Sequence, residues 1–206
     1  MYFDPAETMR PGPLTHSPFK ALVVPRPIGW ISTVDSSGRS NIAPFSYFNA
    51  VSDDPPCVMF CPNGAHKDGG AKDTLANIEA TGEFVHNLVG WDLKDAMNET
   101  SANRPHGESE FDFADLKTAP SNIVKAPRVA AAAASFECRH LKTVAIPSDK
   151  GDTENYIVIG QVIVIHIRDD VIKDGKIDLK AIRPVARLGY MDYTVVDEIF
   201  SMQRPD

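Results

Sequence analysis

Residues 26–49 read RPIGWISTVDSSGRSNIAPFSYFN, and the reading of this run decides the fold. The stretch 21–34 is apolar and β-branched in parts, with Pro25 and Pro27 near its start, where proline marks an edge or a bulge. Asp35-Ser36-Ser37-Gly38 is a turn signal, and 40–48 returns as a second strand. The pair is crowded with hydroxyl and amide side chains: Ser32, Thr33, Asn41, Ser46 and Asn49. Trp30, Phe45, Tyr47 and Phe48 add flat apolar surface close by. A planar, partly polar, phosphorylated ligand needs both kinds of surface.

Outward from this hairpin, Pro55-Pro56 precedes a third strand at 57–61, and 63–70 is a polar, glycine-containing loop. Residues 72–82 predict a helix in which Asp73 or Thr74 caps, Leu75 and Ile78 form the apolar stripe, and Gly82 stops the chain. A strand follows at 83–89 and a short helix at 92–101, with Leu93, Ala96 and Met97 at inward spacing. Residues 103–125 carry mixed signals and read as a surface loop with helical turns. The alanine run 130–134 favours helix on propensity, but Pro127 just before it and the alternation at 136–140 favour strand. A long β-rich run covers 156–168, and Asp174-Gly175 is a two-residue hairpin signal inside 171–177. Many strands, turn signals and two helices, with no repeat or linker, predict one antiparallel barrel with peripheral helices.

Bulk properties remove several function classes. The 206 residues suffice for one domain with a proper core. A net charge of -7 argues against nucleic acid as the main partner, although one mononucleotide needs only a local basic pocket. Residues 1–13 hold acids and prolines where a secretion signal has an apolar core, and the apolar run 157–167 is too short to cross a bilayer. The expectation is a soluble, cytoplasmic protein with no membrane partner.

Three cysteines without a secretion signal argue against a disulfide framework. Cys57 and Cys61 lie four residues apart on a strand, roughly 13 Å, too far to share a metal. His86, His140 and His166 fall on strands without ligand spacing and read as satisfied structural histidines, so no metal site is assigned. Ser46 is not in a strained G-x-S-x-G elbow, and no G-x-G-x-x-G follows a strand. A nicotinamide nucleotide must therefore be used without a Rossmann domain.

Residues 66–74, HKDGGAKDT, combine glycines, Lys72 and the Thr74 hydroxyl at a helix N-terminus, the makings of a phosphate cradle. Taken alone, the segment is better read as an ordinary capped surface helix. Trp30, Phe45 and Phe48 are likewise more often core than ligand contacts when they sit on strands. Phe45 and Phe48 differ by three positions, so on one strand they point to opposite faces. Backbone amides near Ala43, Phe45 and Asn49 then matter more to a ligand than the rings.

In combination and in order, these segments resemble the flavin reductase-like, FMN-binding split-barrel family, which includes flavoredoxin-like flavoproteins. The resemblance rests on WIST (30–33), NIAPFSYFN (41–49), KDT (72–74), NIEATGEFVHNLV (77–89), PRVAAAAASFEC (127–138) and PVARLG (184–189). It implies a mainly β fold with peripheral helices, an antiparallel Greek-key split barrel forming a single domain over residues 1–206, and it supports strand for the alanine run. It implies FMN held by Trp30, Ser32, Thr33, Asn41, Ala43, Pro44, Phe45, Ser46 and Asn49, with Lys72, Asp73 and Thr74 at the phosphate. Arg26 and Arg187 are further charge contacts, and His66 lies on the phosphate side.

The implied partners are a second copy of the chain, with flavin near the interface, and NADH or NADPH. Hydride would pass from nicotinamide C4 to flavin N5 between rings stacked about 3–3.5 Å apart. That step needs no protein acid or base, so no catalytic side chain is assigned. The protein's part is to orient the flavin and tune its electronics. Two alternatives remain: an FMN electron carrier reduced by a redox partner protein, and a haem or small-ligand barrel without reductase activity. One departure stands out, since relatives often carry a second glycine where this chain has Tyr190.

Overall fold

The computed structural model describes residues 1–66, 68–149 and 155–205. Among them, seven strands form one antiparallel sheet: β1 (Gly29–Val34), β2 (Ser40–Phe45), β3 (Phe48–Asp53), β4 (Pro56–Phe60), β5 (Glu83–Asn87), β6 (Ala134–Ile146) and β7 (Asn155–Ile167). Their order across the sheet is β2-β1-β5-β6-β7-β4-β3. The helices that matter for the site are α1 (Asp73–Thr81), α2 (Lys94–Glu99) and α3 (Glu110–Phe113).

The sheet curves around β1, whose six residues are all buried. Alternation sends Ile31 into a cluster with Phe45, Val58, Phe60 and Phe84, closed by Leu75 and Ile78 of α1. Trp30 points the other way, into a cluster with Ile42 and Val89 that is roofed by Met97 of α2 and Phe111 of α3. Burying each such large side chain contributes about 1.5–3 kcal/mol, so the two clusters clamp β1 from both sides. β6 and β7 pair along most of their length, with register shifts at Ile159/Gly160 and Val162/Val164 that bend the ribbon. Gly160 is required at the bend: a Cβ there would lie 2.4 Å from the Phe84 ring.

Several local expectations are corrected. Residues 21–34 are not one strand: a helical turn at Phe19–Leu22 and a two-residue strand at Arg26–Pro27 precede β1. The cause is Arg26, whose guanidinium donates to the carbonyls of Lys20, Val23 and Leu188 and folds the segment back on itself. Residues 40–48 also divide, because the chain turns at 46–47 and Phe48 opens β3, which pairs with β4. Phe45 and Phe48 therefore sit on different strands and pack on the same cluster, not on opposite faces of one strand.

Neither Asp73 nor Thr74 caps α1. Lys72 is the N-cap residue and makes no side-chain cap, while Gly82 ends the helix at φ 74° as expected. The alanine run is a turn through Ala131, with strand only from Ala134. His86 is buried between Phe48 and Phe136, and its Nδ1 has no hydrogen-bond partner among the described residues, so it is not a satisfied histidine. His140 and His166 do bond, to Thr143 and Glu137. No helix among the described residues is long and apolar enough to cross a membrane.

Candidate functional site

A cleft of about 100 Å³ lies where β2, the start of α1 and the segment 100–104 meet, with Glu110 in its lining. β2 brings Asn41, Ala43, Pro44 and Phe45 to one wall, and the helix brings Lys72, Asp73 and Thr74 to another. The site is local in origin: α1 is anchored by Leu75 and Ile78 in the barrel cluster, which fixes its N-terminus against β2. Asn41 joins the walls, its Oδ1 accepting from Thr74 Oγ1 at 3.0 Å and its Nδ2 donating to Glu110 Oε2 at 2.8 Å.

The electrostatics favour an anion at one end. Lys72 is partly buried, and its ammonium stands 5.8 Å from the Phe45 ring centroid. Among the described residues no carboxylate lies within ion-pair distance of it, and burial lowers its pKa. A desolvated, unpaired ammonium beside an uncapped helix N-terminus is a place where an anion is stabilised twice over. Arg104 lines the same cleft, ion-paired with Glu108 at 2.7 Å and stacked 4.4 Å from the Phe113 centroid, with a buried Nε that has no partner among the described residues.

Two loops close over this end. The His66 and His106 rings stack with centroids 3.5 Å apart and planes 25° apart. His106 bonds Asp73, which raises the imidazole pKa, and His66 Nε2 lies 3.0 Å from the Arg104 carbonyl. These three side chains bring ligand atoms within 4.8 Å of one another. Their ring nitrogens are engaged within the protein: His66 Nδ1 accepts from the Asp68 amide and His106 Nδ1 bonds Asp73. The trio as arranged is a latch between loops, not a converged set of metal ligands.

The remaining sequence-derived positions fall elsewhere. Trp30, Ser32 and Thr33 are fully buried. Trp30 Nε1 donates to Thr100 Oγ1 at 2.9 Å, Ser32 bonds the Pro127 carbonyl at 2.5 Å, and Thr33 accepts from Asn77 at 3.0 Å. They brace the cleft from behind. Ser46 and Asn49 lie outside it, Ser46 half-buried and Asn49 exposed with its Oδ1 on the Ala50 amide. Arg26 is spent on backbone carbonyls, and Arg187 on Tyr193 and the Tyr190 carbonyl. Glu110, Thr100, Ser101 and Arg104 line the cleft without having been singled out from sequence; an acid next to a phenylalanine in 110–113 was the only signal.

Tyr190 has φ 57°, a left-handed backbone that favours glycine, and its exposed ring meets His16 edge-on at 5.3 Å.

Residues 21–193 match the model of the flavin reductase like domain, and the chain belongs to that family. An uncharacterized protein of Halalkalibacterium halodurans is 36% identical over 183 residues, covering 89% of this chain and 87% of its own. Nitrilotriacetate monooxygenase component B from Bacillus cereus superposes with a TM-score of 0.88 at 28% identity, over 98% of both chains. The 2-nitrobenzoate 2-nitroreductase NbaA of Pseudomonas fluorescens gives 0.78 at 25% identity, over 91% of this chain and 88% of that one. The fold is the split barrel of that family, and the protein is of the flavin-binding oxidoreductase kind.

Proposed function

We propose that this chain is a single, soluble, cytoplasmic FMN-binding domain that works as an NAD(P)H-dependent, flavin reductase-like oxidoreductase and acts as a homodimer. The observation that carries the cofactor reading is Lys72, a partly buried ammonium with no ion-pair partner among the described residues, beside an uncapped helix start, in a cleft that hydroxyls, amides and Phe45 share with Arg104, His66 and the carboxylates of Asp73 and Glu110. These residues fit a phosphorylated flavin: an anion site, hydrogen-bonding groups for a polyol, and apolar surface for a ring. When bound, FMN supplies the two-electron redox chemistry.

The chain's own residues bind, orient and exclude water. Lys72 and the first N–H groups of α1 hold the anionic end, and Asn41 and Thr74 line the wall beside it. Ala43, Pro44 and Phe45 offer backbone and apolar surface along β2. Trp30, Ser32 and Thr33 act from behind, by fixing Thr100, the 127 carbonyl and Asn77. Component B of a monooxygenase among the similar structures supports an oxidoreductase that hands electrons onward, and NADH or NADPH is the proposed donor. The test is the visible spectrum of the purified protein after FMN addition, followed by anaerobic NADH or NADPH. Bound flavin that bleaches promptly is the expected result. Protein that leaves FMN unperturbed sinks the cofactor reading, and bound flavin that resists both nucleotides sinks the donor.

A further inference from the structure

The hydrogen-bond polarity of the cleft is fixed by one carboxylate. Glu110 Oε2 takes two N–H donors, Asn41 Nδ2 at 2.8 Å and the Ile42 amide at 3.2 Å, and a carboxylate only accepts. The Asn41 amide therefore has one orientation, nitrogen toward Glu110 and oxygen toward α1. That oxygen also only accepts, so the Thr74 hydroxyl 3.0 Å away must donate to it. Thr33 donates to the same oxygen at 3.4 Å while receiving the Asn77 amide. The other two hydroxyls of the cleft are committed in the same sense: Thr100 donates to the Met97 carbonyl at 2.8 Å and Ser101 to the Asn98 carbonyl at 2.6 Å. Every hydroxyl proton lining the cleft thus points into the protein; Thr100 Oγ1 also accepts from Trp30, so Thr74 and Ser101 are the hydroxyls that keep acceptor lone pairs for a ligand.

A phosphate dianion consists of acceptors and gains nothing from such a wall. A polyol brings its own protons and does. We propose that Glu110 is a positioning residue which, through Asn41, makes Thr74 an acceptor for the hydroxyls of the ribityl chain, leaving Lys72 as the side chain of this pair that meets the phosphate. This rests on the FMN reading and refines it, since the sequence resemblance assigns both Lys72 and Thr74 to phosphate.

FMN and riboflavin differ only by the phosphate, so quenching of flavin fluorescence, titrated with both in parallel, separates the roles. Lys72→Met is expected to raise Kd for FMN about tenfold and for riboflavin less than about twofold. Thr74→Val is expected to raise Kd for both flavins by one common factor of about three to ten, with Thr74→Ser restoring both. A Thr74→Val protein that loses FMN affinity while keeping riboflavin affinity overturns the assignment. Failure of the unaltered protein to bind either flavin is a different result, and it removes the FMN reading itself.

The Glu110 arm needs no flavin. One Asn41 side-chain amide proton, in the charge-assisted bond, is expected downfield in the ¹⁵N–¹H spectrum and is expected to move upfield in Glu110→Gln. An Asn41 signal indifferent to that isosteric change shows that Glu110 does not set the amide, and overturns the positioning role.

Discussion

Two glutamates are buried among the described residues, and their surroundings differ in kind. Glu137 on β6 is fully buried and saturated, accepting from the amides of Asn122, Ile123 and Val124 at 2.6, 2.7 and 3.0 Å and from His166 at 2.6 Å. Burial opposes its charge, but these donors outweigh burial and hold the carboxyl down at about 2. Glu110 at the cleft has two donors on one oxygen, and there burial wins and pushes its pKa up. The first carboxylate closes a loop onto the barrel. The second has only two donors, both on one oxygen, and lines the cleft with Lys72 and with Arg104, whose Nε has no partner among the described residues. Glu137 is matched by four donors, whereas the cleft leaves Lys72 and Arg104 Nε without partners among the described residues; His86 Nδ1 and Arg26 Nε, outside the cleft, are buried and unpartnered as well.

The largest effect expected from this contrast is acid destabilisation of the closed region. Burial lowers the His86 pKa from 6.5 to about 3, so the folded protein binds fewer protons than the unfolded chain as pH falls from 6.5. Stability is then lost from about pH 6.5 downward, by roughly 5 kcal/mol when the whole window has been crossed. Glu137 adds a second loss: its stabilisation is complete above its ordinary value of 4.5 and disappears as pH falls toward 2. Urea midpoints measured between pH 7 and pH 3 test this, and a flat profile between 6.5 and 4.5 removes His86 from the account.

Glu137→Gln sharpens the comparison at neutral pH. The substitution leaves the amides of residues 122–124 competing for one oxygen deep in the barrel, and a cost of about 3 kcal/mol is expected from urea unfolding. The same variant should bind FMN within about twofold of the unaltered protein, because no part of the 122–124 loop lines the cleft. An affinity loss equal to the stability loss breaks the separation of the two regions.

The same division explains how much was readable from sequence. The barrel was, because the apolar, partly β-branched run through 29–34, the Leu75/Ile78 stripe and Gly82 at φ 74° are local signals that agree with the tertiary result. The break between β2 and β3 was not, since 46–47 holds neither glycine nor proline; Phe48 is instead set by stacking on His86. The missing cap of α1 is a tertiary effect too: Thr74 and Asp73 are drawn away by Asn41 and His106, 33 residues distant in each case.

Within the site, Lys72, Thr74 and Asn41 stood out by residue type. Trp30, Ser32 and Thr33 did as well, although a strand buried on both faces gives its hydroxyls no access to a cleft. Glu110 went unremarked because its partner Asn41 lies 69 residues away and the segment around it carries mixed local signals.

A smaller effect is expected at the rim. Tyr190 holds φ 57° with half its surface exposed, so its backbone strain is not compensated by burial. Tyr190→Gly should gain about 1 kcal/mol, reduced by the greater freedom of glycine in the unfolded chain. A loss of stability in thermal unfolding would mean that the ring's contact with His16 outweighs the strain.

The smallest stability change is expected at Glu110, and its smallness is the point. Glu110→Gln keeps an oxygen for the Ile42 amide, loses the charge in the bond to Asn41, and removes a carboxylate that burial disfavours. The opposing contributions leave a net change below about 1 kcal/mol, against about 3 for the isosteric change at Glu137. The sign with pH also inverts. A folded-state pKa raised above 4.5 means that stability is lost as pH rises through it, so the variant should improve relative to the unaltered protein on going from acid to neutral pH. Paired urea titrations at acid and neutral pH measure this directly. If Glu110→Gln proves as costly as Glu137→Gln, Glu110 is a structural anchor like its counterpart, and its incomplete satisfaction says nothing about a ligand.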